Sequence, residues 1–250
     1  MSRTRKQRLD ELLVERELVG RLDQAEQLIR AGKVLVSEVV ADKPGRTYPE
    51  NAVIRIRQQP VYVSRGGIKL AGALDRFAIN PCGWVCADIG ASTGGFTDCL
   101  LQRGARIVYA VDVGYGILHW KLRSDERVVV RERCNARDLT ARQIERPLDL
   151  AVLDTSFISL TKLIPPLLPR FGEKIRIVAL VKPQFELRPE RVGRGGIVSD
   201  AQAQQEAVAA IRDFSVSLGL SCEGIVASPI TGTKGNQEYL LYLTGCSRSG

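Results

Sequence analysis

The sequence predicts an α/β protein: a mostly parallel seven-stranded sheet with helices on both faces and its last strand antiparallel, preceded by a small α+β unit. Three observations carry this. From residue 84 onward, short apolar runs alternate with segments long enough for crossover helices, the mark of a parallel sheet. The last two runs are joined by the tight loop "TGTKGNQ", which suits an antiparallel pair. Before residue 60 the pattern differs: two helical stretches lead into short alternating strands.

At 250 residues the chain can bury a proper core, and 44% hydrophobic with 26% charged residues describes an ordinary globular protein. No window is apolar enough to span a bilayer, and the opening "MSRTRKQR" has no apolar region behind it. The expectation is a cytoplasmic protein with no membrane partner. Six cysteines, at 82, 86, 99, 134, 222 and 246, lack the paired C-x-x-C spacing of zinc or redox motifs. They read as free, mostly buried thiols, and no metal site is expected. A net charge of +8 points to a polyanionic partner.

In the first unit, "RLDELLVEREL" spaces Leu9, Leu12, Leu13 and, after a turn, Leu18 for a helix. "LDQAEQLIRAGKV" does the same with Leu22, Ala25, Leu28 and Ile29 until Gly32 stops it. The alternating "KVLVSEVVADKP" and "NAVIRIRQQ" then read as a hairpin-rich sheet. Arg5, Lys6, Arg8, Arg21, Arg30 and Lys33 lie along or beside the helices, as a phosphate-binding surface or a solvated charged face. The order of helix, helix, "AGKVLV" and hairpin resembles the S4 RNA-binding domain, which implies docking of the two-helix face onto structured RNA. The chain departs from that pattern where Arg21-Leu22 replaces the usual Ser-Arg and Ser37-Glu38 the usual Asn-Gly. The expected organisation is an S4-like domain over 1–59, a linker over 60–64 and a catalytic domain over 65–250.

"YVSRGGIKLAGALDRFAI" opens the second unit. Ile68, Ala71, Leu74 and Phe77 are spaced for one helical face, which turns Lys69 away from it, and Gly66-Gly67 gives a flexible entry. Arg65 is a further candidate for contact with RNA.

"WVCADIGASTGGFTDCL" is an apolar run that ends at Asp88, turns through three glycines and resumes as a helix. It has neither the Lys-Ser/Thr of a nucleoside triphosphate loop nor the G-x-G-x-x-G spacing. What it offers is bare backbone at a helix start, where main-chain N–H groups meet a polar ligand. Asp112 ends the next run, the place from which a carboxylate accepts both hydroxyls of a ribose. S-adenosylmethionine, an adenosine with an amino-acid tail, fits that pair of features better than NAD. Its candidate contacts are Asp88, Gly90, Ala91, Ser92, Gly94, Gly95, Phe96 and Asp112, with Asn135, Arg137 and Asp138 at the adenine edge. The alternative is a glycine turn needed only for strand-to-helix packing.

The fourth run ends in "LDTSFISL", without the Asp/Asn-Pro-Pro-Tyr that holds a flat base for amine methylation. It puts Asp154 at the strand mouth. "LVKPQFE" does so for Lys182 on strand five, and "GNQEYLLYL" puts Glu238 at the start of the last strand. With Lys69, two lysines and two carboxylates can converge on one cleft. A ribose hydroxyl is a very weak acid, and a lysine serves as its base when burial or a second cation favours the uncharged amine. Lys182 is the expected base and Lys69 the neighbouring cation that steadies the alkoxide. Asp154 and Glu238 hold both in register. A structural ion-pair network is the alternative.

Together, "SRGGIKL", "DIGASTGGFTD", "VDVGYGIL", "LDTSFISL", "LVKPQFE" and "GNQEYLLYL" resemble the TlyA family of ribosomal RNA 2′-O-methyltransferases. Those proteins carry an S4 domain ahead of a Rossmann-like catalytic domain of the FtsJ/RrmJ type. The resemblance implies a Lys-Asp-Lys-Glu tetrad at Lys69, Asp154, Lys182 and Glu238. It also implies S-adenosylmethionine as cofactor, and cytidine 2′-hydroxyls in ribosomal subunits as acceptors. The short stretch after the last strand gives the expectation of the large-subunit form. The single histidine, His119, reads as packed or surface rather than catalytic, and "PQFELRPERVGRGGIVSD" reads as a loop or a lid over the cleft. Two rivals remain: a membrane-damaging protein, since family members often bear the name haemolysin, and a non-catalytic RNA-binding or ribosome-assembly factor.

Overall fold

The computed structural model describes residues 5–57 and 60–246 and falls into two compact units, Met1–Pro60 and Val61–Gly250. The first four residues and those after Cys246, on which the expectations about a leader and the C-terminus rest, lie outside the described residues.

The first unit runs β1 (Lys6–Arg8), α1 (Leu9–Glu15), α2 (Leu22–Arg30), β2 (Val34–Val36), β3 (Val39–Ala41), β4 (Thr47–Pro49) and β5 (Ile54–Ile56). Strands β3, β2 and β5 form one antiparallel sheet, and β1 pairs with β4. Leu9, Leu13, Ala25 and Ile29 of the helices meet Val34 and Val36 of β2 in a single small core. Each aliphatic side chain buried there contributes roughly 1.5–3 kcal/mol. Leu18 and Leu22 instead stay exposed. The β2–β3 turn puts both Ser37 (φ 49°) and Glu38 (φ 64°) in the left-handed region. That is the geometry Asn-Gly meets at least cost, so this hairpin forms despite its residues.

The second unit continues with α3 (Gly66–Arg76), β6 (Val85–Ile89), α4 (Gly95–Gln102), β7 (Ile107–Val111), α5 (Trp120–Arg123), β8 (Val128–Arg131), β9 (Leu150–Leu153), α6 (Ile164–Leu167), β10 (Lys174–Val181), α7 (Pro183–Glu186), α8 (Ala201–Ser217), β11 (Ser221–Ala227) and β12 (Tyr239–Cys246). Its seven strands lie in the order β11-β12-β10-β9-β6-β7-β8. All neighbours are parallel except β12, which runs against both β10 and β11. Alternate residues of β6 feed two cores: Val85, Ala87 and Ile89 face α6 and α8, and Cys86 faces α3 and α4. A strand buried on both faces must be apolar throughout, which is why these segments read as continuous runs rather than as alternation.

Three expectations need correcting. The six cysteines are free but not mostly buried: Cys86 and Cys99 are buried, Cys134 and Cys222 half-buried, and Cys82 and Cys246 exposed. The buried side of α3 is Gly67, Lys69, Leu70, Ala73 and Leu74, while Ile68 is exposed. Gly67 is the deciding residue: a Cβ there would lie 2.2 Å from the Tyr62 ring, so this glycine lets the helix sit down on its other face. The crossovers also hold less helix than their lengths suggested. Prolines 165, 166 and 169 limit α6 to one turn, and a 3-10 turn at Ala136–Asp138 is the only helical element between β8 and β9 among the described residues.

Candidate active site

The chain leaves β6 toward β7 and β8 on one side, then returns to lay β9 and β10 on the other. The order therefore reverses between β6 and β9, and in open α/β sheets the crevice at such a point takes the ligand. Gly90, just after β6, has φ +83°, and a Cβ there would stand 2.6 Å from the Asp154 carbonyl oxygen. Only glycine lets the two strand ends come this close.

The loop that follows is fixed by carboxylates. Asp88 is fully buried, and its Oδ2 accepts from the Thr97 backbone N–H (2.8 Å) and hydroxyl (2.7 Å), which ties the first turn of α4 to β6. Burial pushes its pKa up to about 7, against the bonds from Thr97 and with help from Asp154 and Asp112. Its Oδ1 is buried and has no partner. Asp112 Oδ2 accepts from Ser92 N–H and Oδ1 from Gly114 N–H, each at 2.7 Å. Its carboxylate plane is thereby set, and each oxygen keeps a lone pair for a hydroxyl. Asp112, Asn135 and Ser92 line a cavity of about 280 Å³ with apolar walls that include Val113, Ile158 and Leu163. Apolar walls for a flat base beside a carboxylate suit a nucleoside.

Not every candidate reaches that cavity. Phe96 is 2% exposed and belongs to the core beneath α4. Arg137 is exposed and turns back to the Asn135 side-chain oxygen. Asp88, Ala91, Gly94 and Gly95 shape the loop from below: at Gly95 a Cβ would lie 2.2 Å from Ser64 Oγ, so α4 can start only where it presses on the entry to α3. His119 is the N-cap of α5, its Nδ1 accepting from Lys121 N–H. The basic residues of the first unit carry local partners: Arg5 pairs with Glu50, Arg8 with the buried Asp10, Arg21 with Asp23 and Arg30 with Glu26. Lys6 is exposed on β1, and Lys33 is half-buried before β2.

A second cavity, of about 740 Å³, shares Gly90, Ser92, Asp154, Ser156 and Phe157 with the first. Lys69, Asp154, Lys182 and Glu238 all line it, as two ion pairs. Lys69 Nζ lies 2.5 Å from Glu238 Oε2 and joins α3 to the start of β12. Lys182 Nζ lies 2.6 Å from Asp154 Oδ1 and 3.0 Å from Ser156 Oγ. Lys69, Lys182 and Glu238 are buried, so these charges act with little water between them.

The mouth holds residues that spacing alone did not reveal. Phe157 is 90% exposed, in the left-handed region at φ 66°, with its ring 5.0 Å from that of Phe185. A bulky side chain held exposed in that conformation points to use rather than packing. Its loop is anchored by Glu186, which accepts from Ser159 Oγ (2.5 Å) and Leu160 N–H (3.0 Å); burial raises the pKa of this carboxyl. Asn236 bonds both Gly196 O and Val198 N–H, which pins the Arg/Gly-rich segment at the cavity edge. Arg65 donates to Thr231 O across the same rim. No helix among the described residues is long and apolar enough to cross a membrane, and they contain no cluster of potential metal ligands.

The family model for FtsJ-like methyltransferases matches residues 62–244, and that for the S4 domain matches residues 7–54. The chain is 46% identical to the 16S/23S rRNA (cytidine-2′-O)-methyltransferase TlyA of Mycobacterium tuberculosis, over 96% of this chain and 90% of that one. It is 46% identical to the "Putative rRNA methyltransferase YqxC" of Bacillus subtilis, over 96% and 86%. Among solved structures, the "Putative hemolysin from Streptococcus thermophilus" superposes with a TM-score of 0.73 at 39% identity, over 97% and 90% of the two chains. The chain therefore belongs to the FtsJ-like methyltransferase family, as an enzyme whose catalytic unit follows an S4 domain.

Proposed function

We propose that this protein transfers a methyl group from S-adenosylmethionine to the 2′-hydroxyl of a cytidine in ribosomal RNA, with Lys182 as the base. The observation that carries this reading is the pairing of two buried lysines with two carboxylates on one cavity that adjoins a nucleoside-shaped one. Asp112 would hold the ribose of the cofactor, Asn135 the adenine edge, and the loop from Gly90 to Gly95 its amino-acid end. When bound there, the sulfonium supplies an electrophilic methyl carbon.

The chain's own work is alignment and proton removal. Lys182, an ammonium while paired with Asp154, first gives its own proton to solvent, and the uncharged amine then takes the proton of the acceptor hydroxyl. Lys69, held by Glu238, steadies the charge that develops on oxygen, and Asp154 holds the Lys182 amine in place. Phe157 and Phe185 offer a stacking face for the acceptor base. In the first unit Arg5, Lys6, Arg8, Arg21, Arg30 and Lys33 would meet RNA phosphates, as would Arg65 on the catalytic rim. Two domains joined near residue 60 and a cytoplasmic location belong to the same reading.

The test is methyl transfer from labelled S-adenosylmethionine to ribosomal subunits. Saturable transfer by the intact chain is expected, lost in Lys182→Ala while RNA binding is retained. RNA binding without transfer would favour the assembly-factor reading; leakage of liposomes without transfer would favour the membrane-active one.

A further inference from the structure

We propose that Ser156 is a positioning residue which aims the lone pair of Lys182 at the acceptor oxygen; the proposal rests on Lys182 being the base. An uncharged primary amine has two N–H bonds and one lone pair, spread tetrahedrally with its Cε bond. Asp154 Oδ1 at 2.6 Å engages one N–H, and Ser156 Oγ at 3.0 Å engages the other. The lone pair then has one direction left. With Asp154 as the sole partner, rotation about the Cε–Nζ bond would exchange the lone pair and the free N–H between two staggered positions. In one of them the amine presents a hydrogen to the sugar and cannot take its proton.

The place of Ser156 suits that task. It lines both cavities, as Asp154 does, and so stands where the methyl donor and the acceptor meet. Its loop is tied down just beyond it, where Glu186 accepts from Ser159 Oγ and Leu160 N–H. The hydroxyl also gains strength as the reaction proceeds. When the proton leaves the sugar oxygen for Nζ, the amine becomes an ammonium with three N–H bonds: one to Asp154, one to Ser156 and one to the oxygen that gave up the proton. A hydrogen bond from a charged donor is stronger than one from a neutral donor, so Ser156 favours the proton-transferred state over the ground state.

The experiment measures methyl transfer by the full chain to ribosomal subunits, with Ser156→Ala, Ser156→Thr and Lys182→Ala side by side. Ser156 is exposed, so its truncation leaves the packed core intact. Ser156→Ala is expected to lower kcat roughly fivefold, the worth of one hydrogen bond, with KM for subunits and affinity for S-adenosylmethionine unchanged. Ser156→Thr, which keeps the hydroxyl, is expected to recover the rate. The proposal is overturned if Ser156→Ala keeps the wild-type kcat, if it raises KM alone, or if Ser156→Thr loses as much as Ser156→Ala. Survival of full activity in Lys182→Ala would instead remove the base assignment itself, which separates the two failures.

Discussion

Removing Glu238 tests how the catalytic unit tolerates its buried charges. In the native protein Lys69 Nζ lies 2.5 Å from Glu238 Oε2, with the two side chains 10% and 3% exposed. The fit is close on every side: a Cβ at Gly232 would stand 2.4 Å from Glu238 Oε1. Glu238→Ala leaves the Lys69 ammonium without a counter-charge and nearly without water. Breaking a buried pair from one side costs about 3–5 kcal/mol, and at 3% exposure little solvent screening reduces it. In a unit of this size that lowers Tm by roughly 6–20 °C. Glu238→Gln keeps an acceptor for Lys69 and should lose less. Replacing both partners, Lys69→Met with Glu238→Met, removes the uncompensated charge and should return most of the stability while activity stays absent. The assay is urea or thermal unfolding followed by tryptophan fluorescence, since both tryptophans, Trp84 and Trp120, lie in the second unit. A loss below about 1 kcal/mol in Glu238→Ala, the range of an exposed pair, would contradict a desolvated Lys69–Glu238 pair. So would a double variant no more stable than Glu238→Ala.

Three further outcomes are expected. The Asp88 carboxyl, raised from 3.8 to about 7 by burial, holds in the folded state a proton that the unfolded chain releases. Its contribution to stability is therefore lost as pH rises from about 4 to 7, and Asp88→Asn should gain on the wild type by several kcal/mol across that window; an offset independent of pH in unfolding experiments would contradict this. Gly90→Ala forces a Cβ to 2.6 Å from Asp154 O at φ +83°, so a loss of about 1–3 kcal/mol and a lower kcat should appear together; a stable, fully active variant would argue against the close approach. Phe157→Ala should leave thermal stability unchanged and raise KM for RNA by the roughly 1–3 kcal/mol worth of one stacked base, and an unchanged KM would remove Phe157 from the acceptor site.

The sheet was legible in the sequence because strands buried on both faces are apolar over nearly their whole length, as "IVYAV" and "LAVL" are. Asp88, Asp112, Asp154 and Lys182 were legible for the complementary reason: a charged residue that closes an apolar run marks a strand end, and the structure puts Asp154 and Lys182 together on one cavity wall. The burial of Lys69 was harder to read. α3 offers two apolar stripes one residue apart, and the choice between them turned on the missing side chain at Gly67 under Tyr62, a contact made through tertiary packing. The inward turn of Phe96 was not legible, because it follows directly on the glycine loop yet sits on the side of α4 that packs into the core. Ser156, Phe157 and Glu186 left no periodic signal: their placement comes from a left-handed backbone at residue 157 and from hydrogen bonds between residues 159 and 186 and between 156 and 182. The Arg/Gly-rich segment read as a loop or a lid, and its two bonds to Asn236 are ones that its own sequence does not encode.

The proposed mechanism requires a sugar oxygen to receive the methyl group as Lys182 takes its proton. The direct measurement is mass spectrometry of nucleosides from ribosomal RNA treated with the wild-type chain and with Lys182→Ala. 2′-O-methylcytidine is expected from the wild type and none from Lys182→Ala. A methyl group on the base, or undiminished 2′-O-methylcytidine from Lys182→Ala, would contradict it.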